Sequence, residues 1–230
     1  MDNLIIIGAG GVGKEVSLIV QQLNYLEPTW NLVGFVDDNI DSWEKTINGY
    51  SVIGGVETLN FYNEDCYVVI AIANYSVKKS IVEKLNNRFK FATIINPKVW
   101  IHDFMTVGEG SIIYEGAIIT SNVEIGKHVI ISPKCGIGHD SVIKDYSSLL
   151  WNVNISGADT IEEGVLIGSG ATVIQNKVIG KGSTVGAGSV VIDDIPSGAT
   201  VVGVPGKVIK IDEILYKSIK TTLQKERGII

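Results

Sequence analysis

Histidine and cysteine are scarce in this sequence, positive charge is nowhere clustered, and long apolar runs are missing. Each absence excludes something. Cys66 and Cys135 are the only two cysteines in 230 residues. They are far apart and match no metal-ligand spacing, so they read as reduced, buried thiols of a cytoplasmic protein rather than a disulfide framework. Lysine and arginine form no stripe, and the net charge is −6, which argues against nucleic acid as a partner. No apolar run reaches membrane-spanning length. Met1-Asp2-Asn3 precedes an apolar run of only four residues, which has neither the charge nor the length of a secretory leader. A cytoplasmic chain with no membrane association is expected.

What is abundant is isoleucine and valine, and they are evenly spaced. From Ile95 through Ile101, Val107 and Ile113 to Val191, every sixth residue is Ile, Leu or Val, with no insertion. A helix repeats near 3.6 residues and a simple strand at 2, so neither accounts for a period of six. A hexapeptide period predicts a parallel β-helix, three short faces closing a triangular coil of about eighteen residues. Small residues recur four places on, at Ser111, Ala117, Cys135, Ser141, Ser147, Ala171, Ser183 and Ser189, as a tight corner requires. Glycine follows the aliphatic position at Gly108, Gly126, Gly138, Gly168, Gly180 and Gly186, where positive φ or close approach costs glycine little.

The chain before this repeat alternates strands and helices. Leu4–Ile7 is predicted to be a buried strand, followed by Gly8-Ala9-Gly10-Gly11-Val12-Gly13 and a helix to about Asn24. Gly8, Gly10 and Gly13 fit G-x-G-x-x-G, whose glycines let a phosphate approach the N–H groups of a helix N-terminus. Further strands are expected over Leu32–Val36, ending at Asp37-Asp38, over Tyr67–Ile72, and over Phe89–Ile94. A second helix is expected over about Val77–Asn87. This pattern implies a parallel, Rossmann-like sheet. It is half the size of a complete dinucleotide domain, which favours a mononucleotide over NAD. Asn96-Pro97 marks the expected domain boundary. A helical tail with apolar Ile214, Leu215, Ile219 and Leu223 is expected over about Asp212–Lys225.

The three histidines, His102, His128 and His139, take the second, fourth and third places of their hexapeptides, a spacing that does not suggest a shared zinc. His102 and His128 read as surface residues, and the carboxylates Glu162-Glu163 and Asp193-Asp194 as solvated corners. His139 is followed by Asp140, which can fix its tautomer or stabilise its charged form. Gly157 lies eighteen residues further on, in the same hexapeptide place, so it should stack one coil above. Strands in a sheet are about 4.8 Å apart, which brings a glycine N–H close to the imidazole. A general base beside a backbone donor is the minimum for acyl transfer.

On Gly8-Ala9-Gly10-Gly11-Val12-Gly13-Lys14-Glu15-Val16, Phe35-Val36-Asp37-Asp38, Gly54-Gly55, Ala71-Ile72-Ala73-Asn74, Gly138-His139-Asp140 and Gly203-Val204-Pro205-Gly206-Lys207, the chain resembles the bacterial two-domain sugar acetyltransferases. That family includes nucleotide-sugar 4-amino N-acetyltransferases and sialic acid O-acetyltransferases. The resemblance implies a Rossmann-like sugar-nucleotide-binding domain over 1–94, a left-handed β-helix over 95–210 and a helical tail over 211–230. It also implies a homotrimer with acetyl-CoA held between neighbouring β-helices, and no metal. Carried over by position, His139 is the general base, Asp140 the carboxylate that raises its basicity, and Gly157 the N–H donor to the thioester oxygen. Gly10, Gly11 and Val12 border the diphosphate, Asp37 and Asp38 the base, and Ala73 the sugar nucleotide. Ser148, Ser169 and Ala187 take CoA-contacting positions. Two departures stand out, since a family His is Ser148 here and a family Asn is Ser132. The leading expectation is acetylation of a nucleotide-linked 4-amino sugar. The alternatives are O-acetylation of sialic acid or a related sugar, and a non-catalytic trimeric scaffold that senses nucleotide.

Overall fold

The structure, a computed structural model, describes residues 1–213 and 216, so most of the expected C-terminal helix lies outside the described residues. The N-terminal unit contains β1 (Asp2–Ile7), α1 (Gly11–Leu26), β2 (Trp30–Val36), β3 (Tyr67–Ile70), α2 (Tyr75–Leu85) and β4 (Lys90–Phe91). Its strands pair in parallel in the order β2-β1-β3-β4. Leu4–Ile7 are at most 1% exposed, which explains why the inner four residues of this central strand are all apolar. One face of the sheet packs against Val16, Ile19 and Val20 of α1. The other packs against Ile81 and Leu85 of α2. The strand expected over Phe89–Ile94 is in fact two. Lys90–Phe91 completes this sheet, while Ile94–Ile95 pairs with Ile112–Ile113 and begins the next unit. The break therefore falls at Ala92–Thr93, ahead of Asn96-Pro97.

From Ile94 the chain winds into a left-handed parallel β-helix of about six turns. Each two-residue strand pairs with the strand eighteen residues on, as Ile118 with Gly136, Ile125 with Ile143 and Ile131 with Leu149. This makes three faces. Face I carries Ile94–Ile95, Ile112–Ile113, Ile130–Ile131, Ser148–Leu149 and their successors; face II carries Ile118–Ile119, Gly136–Ile137 and Asn154–Ile155; face III carries Glu124–Ile125, Val142–Ile143 and Thr160–Ile161. The stepped aliphatics from Ile113 to Val191 are at most 6% exposed, while Ile95, Ile101 and Val107 are only partly buried at the open end. Each full burial is worth about 1.5–3 kcal/mol, so the period of six is an energetic requirement of the coil.

The corners obey a rule that the sequence reading had only half identified. From Val107 to Gly188 one residue per hexapeptide, three places after the aliphatic, is left-handed, including Gly110, Asn122, His128, Asp140, Asn152 and Gly164. The glycines directly after the aliphatic are not in that region; they answer to close approach. A Cβ on Gly138 would lie 2.0 Å from Ser156 O, and one on Gly168 would lie 2.5 Å from Ala187 N.

The N-terminal unit sits on face I. The outward side chains of Ile94, Ile112 and Ile130 are at most 1% exposed and join the same core as Val16 and Phe35. From Ile94 to Ser148 face I is thus buried on both sides. The corner between faces II and III is the one opposite it. Among the described residues no helix is long and apolar enough to cross a membrane.

Candidate active site

His139 lies on the corner between faces II and III, immediately before the left-handed Asp140 (φ 59°). Asp is one of the few residues that adopt this backbone at modest cost. The turn brings Asp140 Oδ2 to 2.7 Å from His139 Nδ1. Asn122, one coil earlier, donates Nδ2 to Asp140 Oδ1 at 3.0 Å. The Asn122 amide first, and then the imidazole, hold the Asp140 carboxyl below its usual range. An ionised carboxylate on Nδ1 assigns the proton to that nitrogen and leaves the lone pair on Nε2. The two side chains are 56% and 53% exposed, so the imidazole faces solvent.

Nε2 rests against Gly157. A Cβ added there would lie 2.5 Å from Nε2 and 2.7 Å from Cε1, so only glycine admits the ring in this position. The next residue, Ala158, donates its N–H to His139 O at 2.7 Å, and the Gly157 N–H makes no hydrogen bond among the described residues. Beneath this corner Ser141 Oγ donates to Ser156 O (3.2 Å) and accepts from Asp159 N (3.3 Å). Asp159, 0% exposed, occupies the place that most other corners give to Ser, Ala, Cys or Val. One carboxylate oxygen accepts from Lys177 N–H at 2.7 Å and the other has no partner among the described residues. Burial pushes this carboxyl up to about 6. The sequence signal for Asp159 was a charged residue at a small-residue position.

In the N-terminal unit two of the three motif glycines serve the fold. Gly8 is left-handed (φ 105°), and a Cβ on Gly13 would strike Gly8 O at 2.0 Å. Gly10 and Gly11 are different. Both are exposed, neither has positive φ, and a Cβ on either would meet nothing within 4 Å. The fold has no use for glycine there, and the backbone N–H groups at the N-terminus of α1 are left open to approach by an anion. The Val12 carbonyl accepts from the Tyr114 hydroxyl of face I at 3.3 Å. Asp37 is committed within the protein, with Oδ2 accepting from Ala9 N at 2.7 Å and Oδ1 from Asn39 N at 2.8 Å. Asp38 Oδ1 accepts from Val56 N at 2.8 Å. A cleft of about 180 Å³ opens between these groups, lined by Gly8, Asp37, Asp38, Val56, Ile72 and Val77.

Where the two units meet, three expectations are corrected. His128, expected on the surface, is 2% exposed; it stacks on Tyr146 and meets Phe91 edge-on at 4.5 Å. Burial, with the nearby Lys78, pushes its imidazole down to about 4. Glu163, expected to be solvated, accepts from Tyr75 and pairs with Lys79 (2.9 Å) and Lys181 (2.7 Å), joining α2 to the coil. Ser148, expected to touch the cofactor, is 1% exposed, and both its hydrogen and a lone pair are engaged. It accepts from the buried Lys78 Nζ at 3.2 Å and donates to Ala73 O at 3.0 Å. The side chain is therefore enclosed by its own N-terminal unit. His102 is exposed, stacked on Trp100.

His139, Asp140 and Gly157 thus converge on one corner. Ser169 and Ala187 are exposed on another, between faces I and II, where Gly188 N donates to Ser169 O. Gly10, Gly11 and Ala73 belong to the unit seated on face I. Within one chain these three groups do not converge. Among the described residues no cluster of three or more His, Cys, Asp or Glu is placed to hold a metal.

Residues 3–85 match the PglD N-terminal domain. A GDP-perosamine N-acetyltransferase of Escherichia coli O157:H7 is 30% identical over 213 residues, covering 89% of this chain and 95% of that relative. The acetyltransferase domain of PglB from Neisseria gonorrhoeae FA1090 superposes with a TM-score of 0.84 at 29% identity, covering 91% of this chain and all of that one. The same domain has been solved with acetyl coenzyme A. PerB from Caulobacter crescentus, solved with CoA and GDP-perosamine, gives a TM-score of 0.79 at 26% identity over 91% of this chain and 98% of that one.

Proposed function

Because this chain belongs to the two-domain sugar acetyltransferases, with a PglD-type N-terminal domain ahead of a β-helix, we propose that it transfers acetyl from acetyl-CoA to the 4-amino group of a nucleotide-linked sugar, with His139 as general base. The observation that carries this reading is the His139 imidazole, braced through Nδ1 by the ionised Asp140 and resting with its basic Nε2 on Gly157. The neutral amine attacks the thioester carbonyl carbon, and Nε2 takes the N–H proton as the C–N bond forms. The Gly157 N–H donates to the oxygen that becomes negative. When the tetrahedral intermediate collapses, the C–S bond breaks and the imidazolium returns its proton to the departing thiolate. The transfer is direct; Cys135 is buried in the coil, with its thiol pushed up to about 11, and is no nucleophile.

The acceptor's diphosphate lies on the N-terminus of α1, at Gly10 and Gly11, with its base near Asp37 and Asp38. Since that loop sits over face I and His139 lies on the opposite corner, a complete site joins the N-terminal unit of one chain to the catalytic corner of another. A closed trimer satisfies this for every copy. The exposed Ile118 (68%), Trp151 (48%) and Ile174 (38%) on and beside face II are suited to the contact. Acetyl-CoA then runs between adjacent coils, past Ser169 and Ala187. We place the reaction in the cytoplasm.

The test uses purified protein, acetyl-CoA and a panel of UDP-, dTDP- and GDP-4-amino sugars with free sialic acids. Wild type is expected to acetylate a nucleotide-linked amine. His139→Ala should lose about 10²–10⁴-fold in turnover while still binding both substrates. Gly11→Val should raise KM for the nucleotide-linked acceptor and leave that for acetyl-CoA, because a Cβ at this position meets nothing within 4 Å in the fold. Acetylation of a free sugar without any nucleotide sugar binding would reject the reading.

A further inference from the structure

We infer that Lys78 is a positioning residue for the acceptor, acting through the Ser148 hydroxyl to fix the Ala73 carbonyl beside the nucleotide cleft. Lys78 is 0% exposed, and no carboxylate pairs with it among the described residues. A buried, unpaired amine is a costly way to fill space, and an aliphatic side chain would fill it more cheaply. What the amine supplies is polarity. The His128 and Ala73 carbonyls can only accept, and a serine hydroxyl has one hydrogen. Lys78 Nζ donates to His128 O at 2.7 Å and to Ser148 Oγ at 3.2 Å. With its lone pair so engaged, Ser148 sends its single hydrogen to Ala73 O at 3.0 Å. The order Lys78, Ser148, Ala73 therefore runs in one direction only.

The loop it holds is the one the cleft needs. Ile72 and Val77, on either side of Ala73, both line the cleft. Asn74 pins the other end by accepting from Val77 N at 3.0 Å as the cap of α2. The connection between β3 and α2 is thus tied to the coil at Ala73 and to its own helix at Asn74. Without the donation from Lys78 the Ser148 hydroxyl is free to rotate, and Ala73 loses its tether to face I.

This inference rests on the reading that the acceptor lies in this cleft. Lys78→Met and Ser148→Ala are each expected to raise acceptor KM at least about fivefold, with acetyl-CoA KM unchanged within twofold. The double variant should be no worse than either single one, since both break the same chain of hydrogen bonds. Lys78→Arg, which keeps the donors, should recover part of the loss. Additive effects, or equal changes in both KM values, would overturn the inference in favour of a general packing role. Amide hydrogen exchange separates this from failure of the acceptor reading. Lys78→Met and Ser148→Ala should speed exchange in the peptide from Ala73 to Val77 and not at the His139–Gly157 corner, whatever the acceptor is. Wild-type acceptor KM together with unchanged exchange at Ala73–Val77 in Ser148→Ala would sink it even if Lys78→Met failed to fold.

Discussion

Replacing Gly157 by alanine adds one methyl group to the protein, and the structure says where its cost should fall. The new Cβ would stand 2.5 Å from His139 Nε2, 2.7 Å from Cε1 and 3.0 Å from Cδ2. Ordinary carbon contacts begin near 3.5 Å, so the ring must retreat by about 1 Å. Gly157 is outside the left-handed region, so alanine brings no backbone strain. His139 is half-exposed and has room to swing outward, so the fold should barely notice, within about 0.5 kcal/mol. The chemistry should notice, because a displacement of about 1 Å at a reacting group costs about 100-fold, or roughly 2.7 kcal/mol of barrier. The substitution keeps the Gly157 N–H, so the loss reports imidazole placement rather than a missing donor. Gly138→Ala is the matched control: its Cβ meets Ser156 O at 2.0 Å, a backbone atom that cannot swing away, and the variant should lose stability. The assay is thiol release from acetyl-CoA at saturating acceptor, alongside thermal melting. A Gly157→Ala enzyme with turnover within threefold of wild type would refute the placement of the base against Gly157.

Three further outcomes are expected. His128→Ala should cost about 2–4 kcal/mol by leaving a void between the units. Because the folded imidazole is depressed to about 4, the unfolded chain takes up the proton first as pH falls, so wild type loses stability through this group between about 6.5 and 4. Denaturant melts of the variant over that range should lack this component. Asp159 has the opposite sign. Its carboxyl is raised to about 6, so its contribution is present below the unfolded value near 4 and lost as pH rises to about 6. Asp159→Asn should therefore be at least as stable as wild type at pH 7, by up to about 3 kcal/mol, and a clear loss at pH 7 would count against a buried, strained carboxylate. Finally, Gly11→Val and His139→Ala, each impaired alone, should regain activity when unfolded together and reassembled, because mixed trimers contain sites built from one intact half of each. Sedimentation should give three times the 24.8 kDa chain mass, and strict absence of complementation would place the site within one chain.

How much of this was legible beforehand depended on how periodic each signal was. The coil was readable to the residue because burial of one aliphatic per hexapeptide is a requirement imposed seventeen times without exception from Ile95 to Val191. The stacking of Gly157 on His139 followed from the same count. Asn122 did not, although it braces Asp140: its place was set by the left-handed corner, whose mark in the sequence is a scatter of Gly, Asn and Asp among residues such as Tyr146 and Ala158 that do not advertise it. The contacts between the units were not legible at all. Nothing local distinguishes His128 from an exposed histidine, since its burial is caused by Phe91 and Lys78, far away in sequence. Ser148 was misplaced for the same reason, because a hydroxyl on an outward-facing strand position looks free until a second unit covers it. Gly10 and Gly11 were singled out together with Gly8 and Gly13. Only the structure separates them from Gly8 and Gly13, by showing which pair the backbone itself needs.

The register of eighteen residues also governs how this protein can change length. Stacked strands repeat every 4.8 Å or so, and the coil works as a graduated rule along which side chains are set. Removing one full graduation beyond Gly157 shortens the rule but leaves every later residue on its original edge. Removing six residues keeps the interior filled, yet rotates everything that follows by a third of a turn. Ser169 and Ala187 would then move off the edge between faces I and II. Removing one residue takes the aliphatics out of the interior altogether. Viable lengths of this chain therefore come in discrete steps, and the distance from His139 to the far end of the coil can be altered only by whole coils.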